Sequence, residues 1–358
     1  MTDSNKFKVD IFAVAKAAKV SITTVSRSFN HPEKVKPTTR KKIDRAVRKL
    51  GYIRNRAAQT MHGIRSGTIG LIVPTIDHAI FSELVEAFAR SVEDHGFSML
   101  VAPHGYDLEK EYAAVRKFLE HRVDGVALIG QDHSEETYHL LESSQTPAIS
   151  IWSYDANSRF SCVGADNIKA GELAAQCLLD HGHHAIGLMF PPLSDNDRAA
   201  GRHAGVYAKL QSAGIDPPKN WVVESTYSLS EAKKRAARIL DSQNRPTALL
   251  CGNDVLAVGA IYAAQSVGLR VPEDVSVIGI GDFKGSEDMH PALTTVRLPA
   301  KEIGHLAGQE LASSVIEGGE EKRRVNCSIS LKLRESCGQL VRGDDTEVNA
   351  PSERTRNT

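Results

Sequence analysis

Two periodicities divide the chain. Up to about residue 53, apolar positions recur three and four residues apart, which is typical of short amphipathic helices. From Thr68 onward, short apolar runs alternate with amphipathic stretches such as residues 81–93 and 108–119. The apolar runs are residues 69–73, 99–102, 125–129, 148–152, 186–190, 222–225, 249–251 and 275–280, with strand-like segments near 294–298 and 325–333. This alternation predicts parallel sheets with helices on both faces.

Three helices are predicted in the first fifty residues. Asp10 is a suitable N-cap for the first helix and Ser21 for the second. Pro37 fits the first turn of the third helix and Gly51 its end. Two helices joined by a short turn and braced by a third form a helix-turn-helix, whose second helix reads the major groove of DNA.

The body that follows carries too many candidate strands for one ordinary open sheet. We therefore predict two doubly wound parallel-sheet lobes. The fold class is an N-terminal all-α helix-turn-helix head plus an α/β body of two lobes. Residues 55–63 are too few for a stable isolated helix, so they are either a linker or a helix that forms on a partner. Residues 341–358 are polar and are expected to be disordered.

Charge is distributed very unevenly. The chain holds 44 basic and 44 acidic residues, but residues 1–65 contain 16 Lys and Arg against 4 Asp and Glu, a net +12 that leaves −12 on the remainder. A strongly basic head on an acidic body indicates a polyanionic partner, and a merely solvated basic surface is the alternative. No run is long enough for a membrane span and the N-terminus lacks an apolar signal segment, so we expect a cytoplasmic protein.

Catalytic and metal-binding patterns are weak. The five cysteines form no CxxC pair, which favours buried free thiols. The tract from His181 to His184 suggests a metal site, but a turn between a helix and a strand is the favoured interpretation. Asp254 follows Asn253 at a helix start, which favours capping over catalysis. The chain has no nucleotide-binding or nucleophile motif, so we predict that it is not an enzyme, with no cofactor and no metal.

The head resembles the lactose/galactose repressor (LacI/GalR) family. The matching residues are Val-Ser-x-x-Thr-Val-Ser-Arg at 20–27, Asn30, Thr39-Arg40, Leu50-Gly51-Tyr52 and Asn55-Arg56-x-Ala58. Further strings resemble the same family, among them IGLIVP, VDGVALIG, LLCGNDVLAVGA and PALTTVRLP, so that the likeness covers about residues 9–340. Lys19 stands where the family turn usually has glycine, so we expect mild strain there.

This resemblance implies a domain order and a body like that of periplasmic sugar-binding proteins. The expected boundaries are 1–54 for the DNA-binding domain, 55–66 for a hinge helix, 67–340 for the effector-binding and dimerisation body and 341–358 for the tail. Lobe one would hold about 67–163 and 295–324, and lobe two about 164–294 and 325–340. The implied DNA-binding residues are Ile22, Thr23, Thr24, Ser26, Arg27, Asn30, Tyr52, Asn55, Arg56, Ala58 and Met61, with Met61 as a wedge in the minor groove.

The same resemblance implies an effector site between the lobes. Its residues would be His78, Phe81, Gln131, Trp152, Arg202, Tyr227, Asn253 and Asp282. Trp152 and Gly281 occupy two places where members that bind neutral sugars usually carry carboxylates. Loss of these carboxylates beside Arg202 favours a sugar acid of the gluconate type, which would place the chain in a gluconate-type subgroup, while a neutral sugar or a purine stays open.

The function expected from these observations is a DNA-binding transcriptional regulator, most simply a repressor, controlled by a sugar or sugar acid. Its partners would be double-stranded operator DNA, the effector and a second copy of the chain, as a homodimer or a larger assembly, with no membrane. Two other classes compete. One is a sugar-binding transport-type protein or a sugar-modifying enzyme with an accessory basic head, and the other is a structural nucleoid protein.

Overall fold

A computed structural model describes residues 9–53, 65–76, 79–318 and 321–340. The chain divides into two compact units, Met1–Ser66 and Gly67–Thr358. We call them the head and the body. Most of the predicted hinge and the whole predicted tail lie outside the described residues, so the expectations for them stay predictions.

The head contains three α-helices within its described part: α1 (Ile11–Ala18), α2 (Ile22–Asn30) and α3 (Pro37–Leu50), with a 3₁₀ turn at Pro32–Lys34. The predicted starts are confirmed, because the Asp10 carboxylate accepts from the backbone N–H of Ala13 at 2.9 Å and Ser21 accepts from Thr24 at 3.1 Å. The buried faces meet in a small core of Val14, Ala15, Ala18, Val25, Ile43 and Ala46.

Two residues end helices of the head in the left-handed conformation. Gly51 ends α3 at φ 62°, as predicted, and Lys19 ends α1 at φ 55°. A lysine adopts this conformation at a cost that glycine does not have, so the expected strain at the turn is present. The turn still closes, because the backbone N–H of Lys19 reaches the carbonyls of Ala15 and Lys16.

Twelve strands lie in the described part of the body. They are β1 (Thr68–Val73), β2 (Ser98–Pro103), β3 (Gly125–Ile129), β4 (Ala148–Ser153), β5 (Ser161–Ala165), β6 (Ile186–Phe190), β7 (Val222–Glu224), β8 (Ala248–Cys251), β9 (Ser276–Gly281), β10 (Thr294–Arg297), β11 (Arg324–Asn326) and β12 (Ser330–Lys332). They form two six-stranded sheets, in the orders β11-β5-β4-β3-β1-β2 and β12-β10-β9-β8-β6-β7.

Helices alternate with these strands as the apolar pattern predicts. They are α4 (Ala79–Asp94), α5 (Leu108–Glu120), α6 (Glu135–Ser144), α7 (Asn167–Asp180), α8 (Asp197–Ser212), α9 (Leu229–Leu240), α10 (Asp254–Ser266) and α11 (Ala300–Glu317), with a 3₁₀ turn at Lys219–Trp221. The first sheet is parallel throughout, and the second is parallel except for β12, which pairs antiparallel with β10. The predicted fold of two doubly wound lobes is confirmed.

The chain passes between the two sheets three times. β5 ends the first stretch of lobe one at Ala165, β10 still belongs to lobe two, and β11 pairs with β5 in lobe one. Each passage therefore lies a few residues beyond the expected boundaries at 163, 294 and 324. Residues 325–333, expected as one strand-like segment, divide between the two sheets as β11 and β12.

Most apolar side chains of the two sheets are buried under these helices, although Leu100 and Val101 on the edge strand β2 are exposed. Trp152, Phe88 and Ile69 are among the largest fully buried side chains. All five cysteines are free and buried, as predicted. Within the ranges that the structure covers, none of the helices is both long enough and apolar enough to cross a membrane.

Candidate functional site

The second helix of the head, α2, has one buried face and one exposed face. Val25 is fully buried in the head core and Ser28 is also buried, so both point inward. On the other side Ile22, Thr23 and Arg27 are exposed. Because Ser21 caps the helix, the exposed residues Ile22 and Thr23 occupy its first turn. This is the part of a recognition helix that contacts base edges.

The remaining predicted DNA-binding residues of the head lie beside this face or outside the described part. Thr24, Ser26 and Asn30 are half-buried, and the Asn30 side-chain amide donates to the Ser26 hydroxyl at 3.4 Å. Tyr52 is half-buried, with its ring centroid 6.2 Å from that of Phe29. Asn55, Arg56, Ala58 and Met61 lie outside the described residues, and their roles stay predictions.

Arg202 in the body is positioned by a very close approach of α7 and α8. A Cβ at Gly171 would lie 2.0 Å from the carbonyl oxygen of Arg202, and a Cβ at Gly205 would lie 2.0 Å from that of Ile168. Neither position accepts a larger residue without separating the helices. Gly205, three residues after Arg202, therefore sets the distance between α8 and the start of α7.

The guanidinium of Arg202 is buried and has neutral hydrogen-bond partners. Its Nε donates to Asn167 Oδ1 and its Nη1 to the carbonyl oxygen of Gly252, both at 2.9 Å. The Asn167 amide in turn donates to the Ser153 hydroxyl at 3.2 Å, which links lobe two to β4 of lobe one. Burial lowers the pKa of Arg202. A buried cation with neutral partners is a place where an anion binds favourably.

Trp152 lies directly before Ser153 on β4. Its ring is buried and meets Phe81 edge to face, with centroids 5.4 Å apart. The residue has φ 83°, a strained conformation for a tryptophan, and strain of this kind clusters at functional sites. Among the described residues no group accepts a hydrogen bond from Trp152 Nε1.

Asn253 carries a second free donor. Its Oδ1 caps α10 by accepting from the backbone N–H of Leu256 at 3.0 Å, while its Nδ2 has no partner in the described part of the chain. The expected capping role of Asp254 is wrong in detail, because the cap is Asn253. The Asp254 carboxylate instead accepts from Thr295 Oγ1 at 2.6 Å and from the backbone N–H of Phe283 at 3.0 Å. Burial raises the pKa of Asp254 to about 6.

Tyr227 lines a cavity between the lobes. Its ring stacks on Tyr106 of lobe one at a centroid distance of 5.6 Å, and its hydroxyl accepts from Asn196 Nδ2 at 3.1 Å. The cavity has a volume of about 340 Å³ and is lined by Tyr106, Pro192, Ser194, Asn196, Thr226, Tyr227 and Ser228. Burial raises the pKa of the Tyr106 hydroxyl, so Tyr106 stays protonated at neutral pH.

Two predicted effector residues are engaged elsewhere. The Gln131 amide nitrogen donates to the Ser153 carbonyl at 3.0 Å, and its oxygen accepts from Ser158 at 2.9 Å, so the side chain is held inside lobe one. Asp282 forms ion pairs with Arg297 and with Arg334, the latter at 2.7 Å, so its carboxylate is neutralised. His78 lies outside the described residues.

Arg198 was missed by the sequence analysis. It is buried, and its Nη1 donates across the lobes to the Ile129 carbonyl at 3.2 Å and to Asp197 Oδ1 at 2.8 Å. The other Asp197 oxygen accepts from the backbone N–H of Gln131 at 3.2 Å. Arg198 lies four residues before Arg202, so their shared helix face was the available signal.

A buried histidine pair lies next to Tyr106 and was also missed. His133 Nδ1 is 2.9 Å from Glu111 Oε1, and His104 Nε2 is 3.9 Å from Glu111 Oε2. In the region that the structure describes, neither ring nitrogen of His104 has a hydrogen-bond partner. Burial lowers the pKa of His104 against the opposing effect of Glu111.

Comparison with known proteins identifies both units. Residues 11–55 match the family described as bacterial regulatory proteins, lacI family, and residues 175–337 match the periplasmic binding protein-like domain. The transcriptional repressor PurR of Klebsiella pneumoniae subsp. pneumoniae is 31% identical over 325 residues, which is 90% of this chain and 95% of that protein.

The solved structures that match include two that each cover 92% of this chain. The lac repressor dimer bound to operator and the anti-inducer ONPF superimposes with a TM-score of 0.79 at 27% identity, covering 92% of this chain and 99% of that one. A complex of the transcriptional regulator CelR with cellobiose has a TM-score of 0.68 at 25% identity, with coverage of 92% and 99%. Both are regulators with a bound small molecule, ONPF in the first and cellobiose in the second.

Proposed function

Because this chain belongs to the LacI family of bacterial regulatory proteins, we propose that it represses transcription from an operator whose occupancy is controlled by a sugar acid. The chain is a transcriptional regulator and not an enzyme. Its relatives are repressors, which supports a regulator over the transport-type, enzymatic and nucleoid alternatives. The proposal concerns which residues read DNA, which ligand binds and how the chain assembles.

The DNA-reading part of the proposal assigns sequence recognition to the first turns of α2. Ile22, Thr23 and Arg27 are the exposed side chains of that helix, and Thr24, Ser26, Asn30 and Tyr52 flank them. The proposed hinge contacts are Asn55, Arg56, Ala58 and Met61. A net charge of +12 over residues 1–65 supplies the attraction to phosphates, so binding should weaken steeply with salt.

A matched pair of threonine substitutions tests this assignment. The operator is first selected from a pool of random duplexes by the full-length protein. Thr23→Ala should lower affinity for the selected site by about 1–3 kcal/mol and leave binding to random DNA nearly unchanged. Thr38→Ala, at an exposed position of α3, should leave the ratio of specific to random binding as it is. An unchanged ratio in Thr23→Ala would contradict the assignment.

A homodimer in the cytoplasm completes this proposal. Two recognition helices related by a twofold axis read the two halves of a palindromic site. The related lac repressor structure is a dimer on its operator, which supports the same assembly here. A DNA-binding regulator has to be where the DNA is, which supports the cytoplasmic location.

Buried hydrogen-bond donors near the contact between the lobes carry the ligand proposal. Arg202 has neutral partners, and Trp152 Nε1 and Asn253 Nδ2 have none among the residues described. Each of these groups donates and none of these atoms accepts. Two nearby carboxylates would repel an anion. Asp282 is paired with Arg297 and Arg334, and Asp254 accepts hydrogen bonds from Thr295 Oγ1 and the backbone N–H of Phe283. An acceptor-rich anion such as a sugar carboxylate fits this set better than a neutral sugar.

Calorimetry on the full-length protein tests the ligand. Gluconate should bind more tightly than glucose, cellobiose or hypoxanthine. Arg202→Ala should weaken gluconate binding by about 1.5–3 kcal/mol, the usual loss for a hydrogen bond to a charged group. Arg159→Ala is the control, because Arg159 is paired with Glu135 and Glu142 away from the cleft. Tighter binding of a neutral sugar or of hypoxanthine, or an unchanged gluconate affinity in Arg202→Ala, would refute the sugar-acid proposal but not the regulator.

A further inference from the structure

A cluster of two thiols and an imidazole lies at the end of α7, away from the cleft residues discussed above. Cys177 is in the last turn of α7, His181 follows the helix at the i+4 position, and Cys337 comes from the C-terminal segment. One ligating atom from each of the three residues lies within 4.8 Å of the others, and Cys177 Sγ is 3.9 Å from His181 Nδ1. The histidine tract alone favoured a turn over a metal site, and no spacing rule links it to Cys337, which is distant in sequence.

Contacts beside the cluster hold it together. The backbone N–H of Leu340 donates to the His181 carbonyl at 2.9 Å, and His183 Nε2 lies 3.1 Å from the carbonyl of Gly338. The backbone N–H of Gly338 also donates to Ser276 Oγ at 3.1 Å. The C-terminal segment is therefore fixed against the turn after α7 by contacts that do not use the three ligating side-chain atoms. The three ligating groups are preorganised, which reduces the cost of binding an ion.

We propose that Cys177, His181 and Cys337 form a binding site for one thiophilic metal ion, with Zn²⁺ as the ion that this donor set suits. Two sulfur ligands and one imidazole nitrogen are typical of zinc, and hard cations such as Mg²⁺ and Ca²⁺ prefer oxygen. Three protein ligands leave the fourth tetrahedral position for water. The two cysteines are buried but His181 is half-buried, which leaves a side from which an ion can enter.

Binding requires a defined set of proton changes. Each thiol gives up its proton to solvent, so one Zn²⁺ enters and two protons leave. His181 Nδ1 now lies 2.7 Å from the Cys177 carbonyl, and it becomes a ligand when the ring proton sits on Nε2. The Cys177 carbonyl keeps the backbone N–H of His181 at 3.2 Å as its partner. The bound ion would thus tie the C-terminal segment to α7.

Cobalt titration of the full-length, reduced and metal-stripped protein tests the site. We expect one Co²⁺ per chain, with thiolate-to-cobalt charge-transfer absorption that Zn²⁺ abolishes. Cys337→Ser and His181→Gln should each weaken this binding by more than about 100-fold, because losing even a group that only supports a ligand costs about 10- to 100-fold. His184→Gln, an exposed member of the same histidine tract, and Cys327→Ser should bind cobalt as the unmodified protein does.

A measurement without substitutions keeps the test valid if a variant does not fold. In the unmodified protein, Zn²⁺ should slow alkylation of Cys177 and Cys337 and leave Cys162, Cys251 and Cys327 unprotected, as read by mass spectrometry. Three results would overturn the site. They are a cobalt spectrum without thiolate absorption, a thiolate spectrum that persists in a folded Cys337→Ser, and equal protection of all five cysteines.

Discussion

The head and the body place their functional side chains in opposite ways. In the head, Ile22, Thr23 and Arg27, the side chains proposed to read the major groove, lie on one nine-residue helix and project into solvent. In the body, the proposed ligand site draws on α4, β4, α8 and the start of α10, and Phe81, Trp152, Arg202 and Asn253 are all buried. A surface that meets a large rigid partner can be built locally, whereas a pocket that encloses a small molecule needs distant segments.

Removing the head should have the largest effect, because it should separate DNA binding from ligand binding completely. A chain lacking residues 1–65 should keep the ligand affinity of the body and lose operator binding entirely, a loss of at least about 10³-fold given the usual advantage of specific over random sites. The body has its own cores in both lobes, so it should fold. Electrophoretic mobility shifts and calorimetry on the same preparation measure both activities. DNA binding by the truncated chain would place recognition in the body instead.

The same contrast explains which features could be predicted from the sequence. In the head, single residues determine each helix end: Asp10 and Ser21 supply caps, and Gly51 tolerates a positive φ. Such rules act over three or four residues, so a linear reading finds them. Even the strain at Lys19 followed from one position.

In the body, the alternation of apolar runs predicts the fold class. It does not predict which side chains contact one another in the proposed ligand site. β5 was missed because the short run at Ser161–Ala165 contains small and polar residues as well as Val163. The neutralisation of Asp282 by Arg334 joins residues 52 positions apart, and no spacing rule connects them. Arg198 depends on how the lobes meet, because it donates to the Ile129 carbonyl of lobe one. The contact of His104 with Glu111 lies within lobe one, between the end of β2 and α5.

The second largest effect should come from the close contact of α7 and α8. Gly205→Ala puts a Cβ 2.0 Å from a backbone carbonyl, so the helices must separate, at a cost of about 1–3 kcal/mol in the free energy of unfolding. Ligand affinity should fall as Arg202 moves, while operator binding without ligand should persist. Gly201→Ala on the same helix meets its nearest atom at 3.2 Å and serves as the control. A stabilisation by Gly205→Ala equal to that by Gly201→Ala would show that the higher helix propensity of alanine, and not the contact, governs position 205.

A smaller effect concerns acid and the buried histidine of the body. Burial lowers the pKa of His104 in the folded chain below 6.5, the ordinary value that it keeps in the unfolded chain. At a pH between the folded and the unfolded pKa, the unfolded chain therefore binds a proton that the folded chain does not. The free energy of unfolding therefore falls as the pH drops below about 6.5, by up to about 1.4 kcal/mol per pH unit for one group. The groups around His104 are Glu111, which raises its pKa, and Arg198 and His133, which lower it.

His104→Leu should remove this dependence. The free energy of unfolding of the variant, relative to that of the unmodified protein, should rise as the pH is lowered from 7.5 to 5.5. Urea unfolding of both proteins measures this difference. Asp254 responds to acid in the opposite sense, because its pKa is raised to about 6 and the folded state keeps its proton more readily. That contribution is present in both proteins and cancels in the difference. A difference that does not change with pH would show that His104 titrates normally.

The smallest effect should come from Lys19 and Gly51, the two helix-ending residues of the head that have the left-handed backbone conformation. Lys19→Gly relieves a conformation that costs a lysine about 1–2 kcal/mol, and part of that gain is lost to the greater freedom of glycine in the unfolded chain, so we expect about 0.5–1 kcal/mol of stabilisation. Gly51→Ala, at nearly the same φ and with no atom within 4 Å of the added Cβ, should destabilise by about 1 kcal/mol. Hydrogen exchange at the buried amides of Val25 and Ile43 in the full-length protein measures both changes without interference from the body. Shifts of the same sign in the two variants would mean that the lost charge of Lys19, not its backbone conformation, governs the turn.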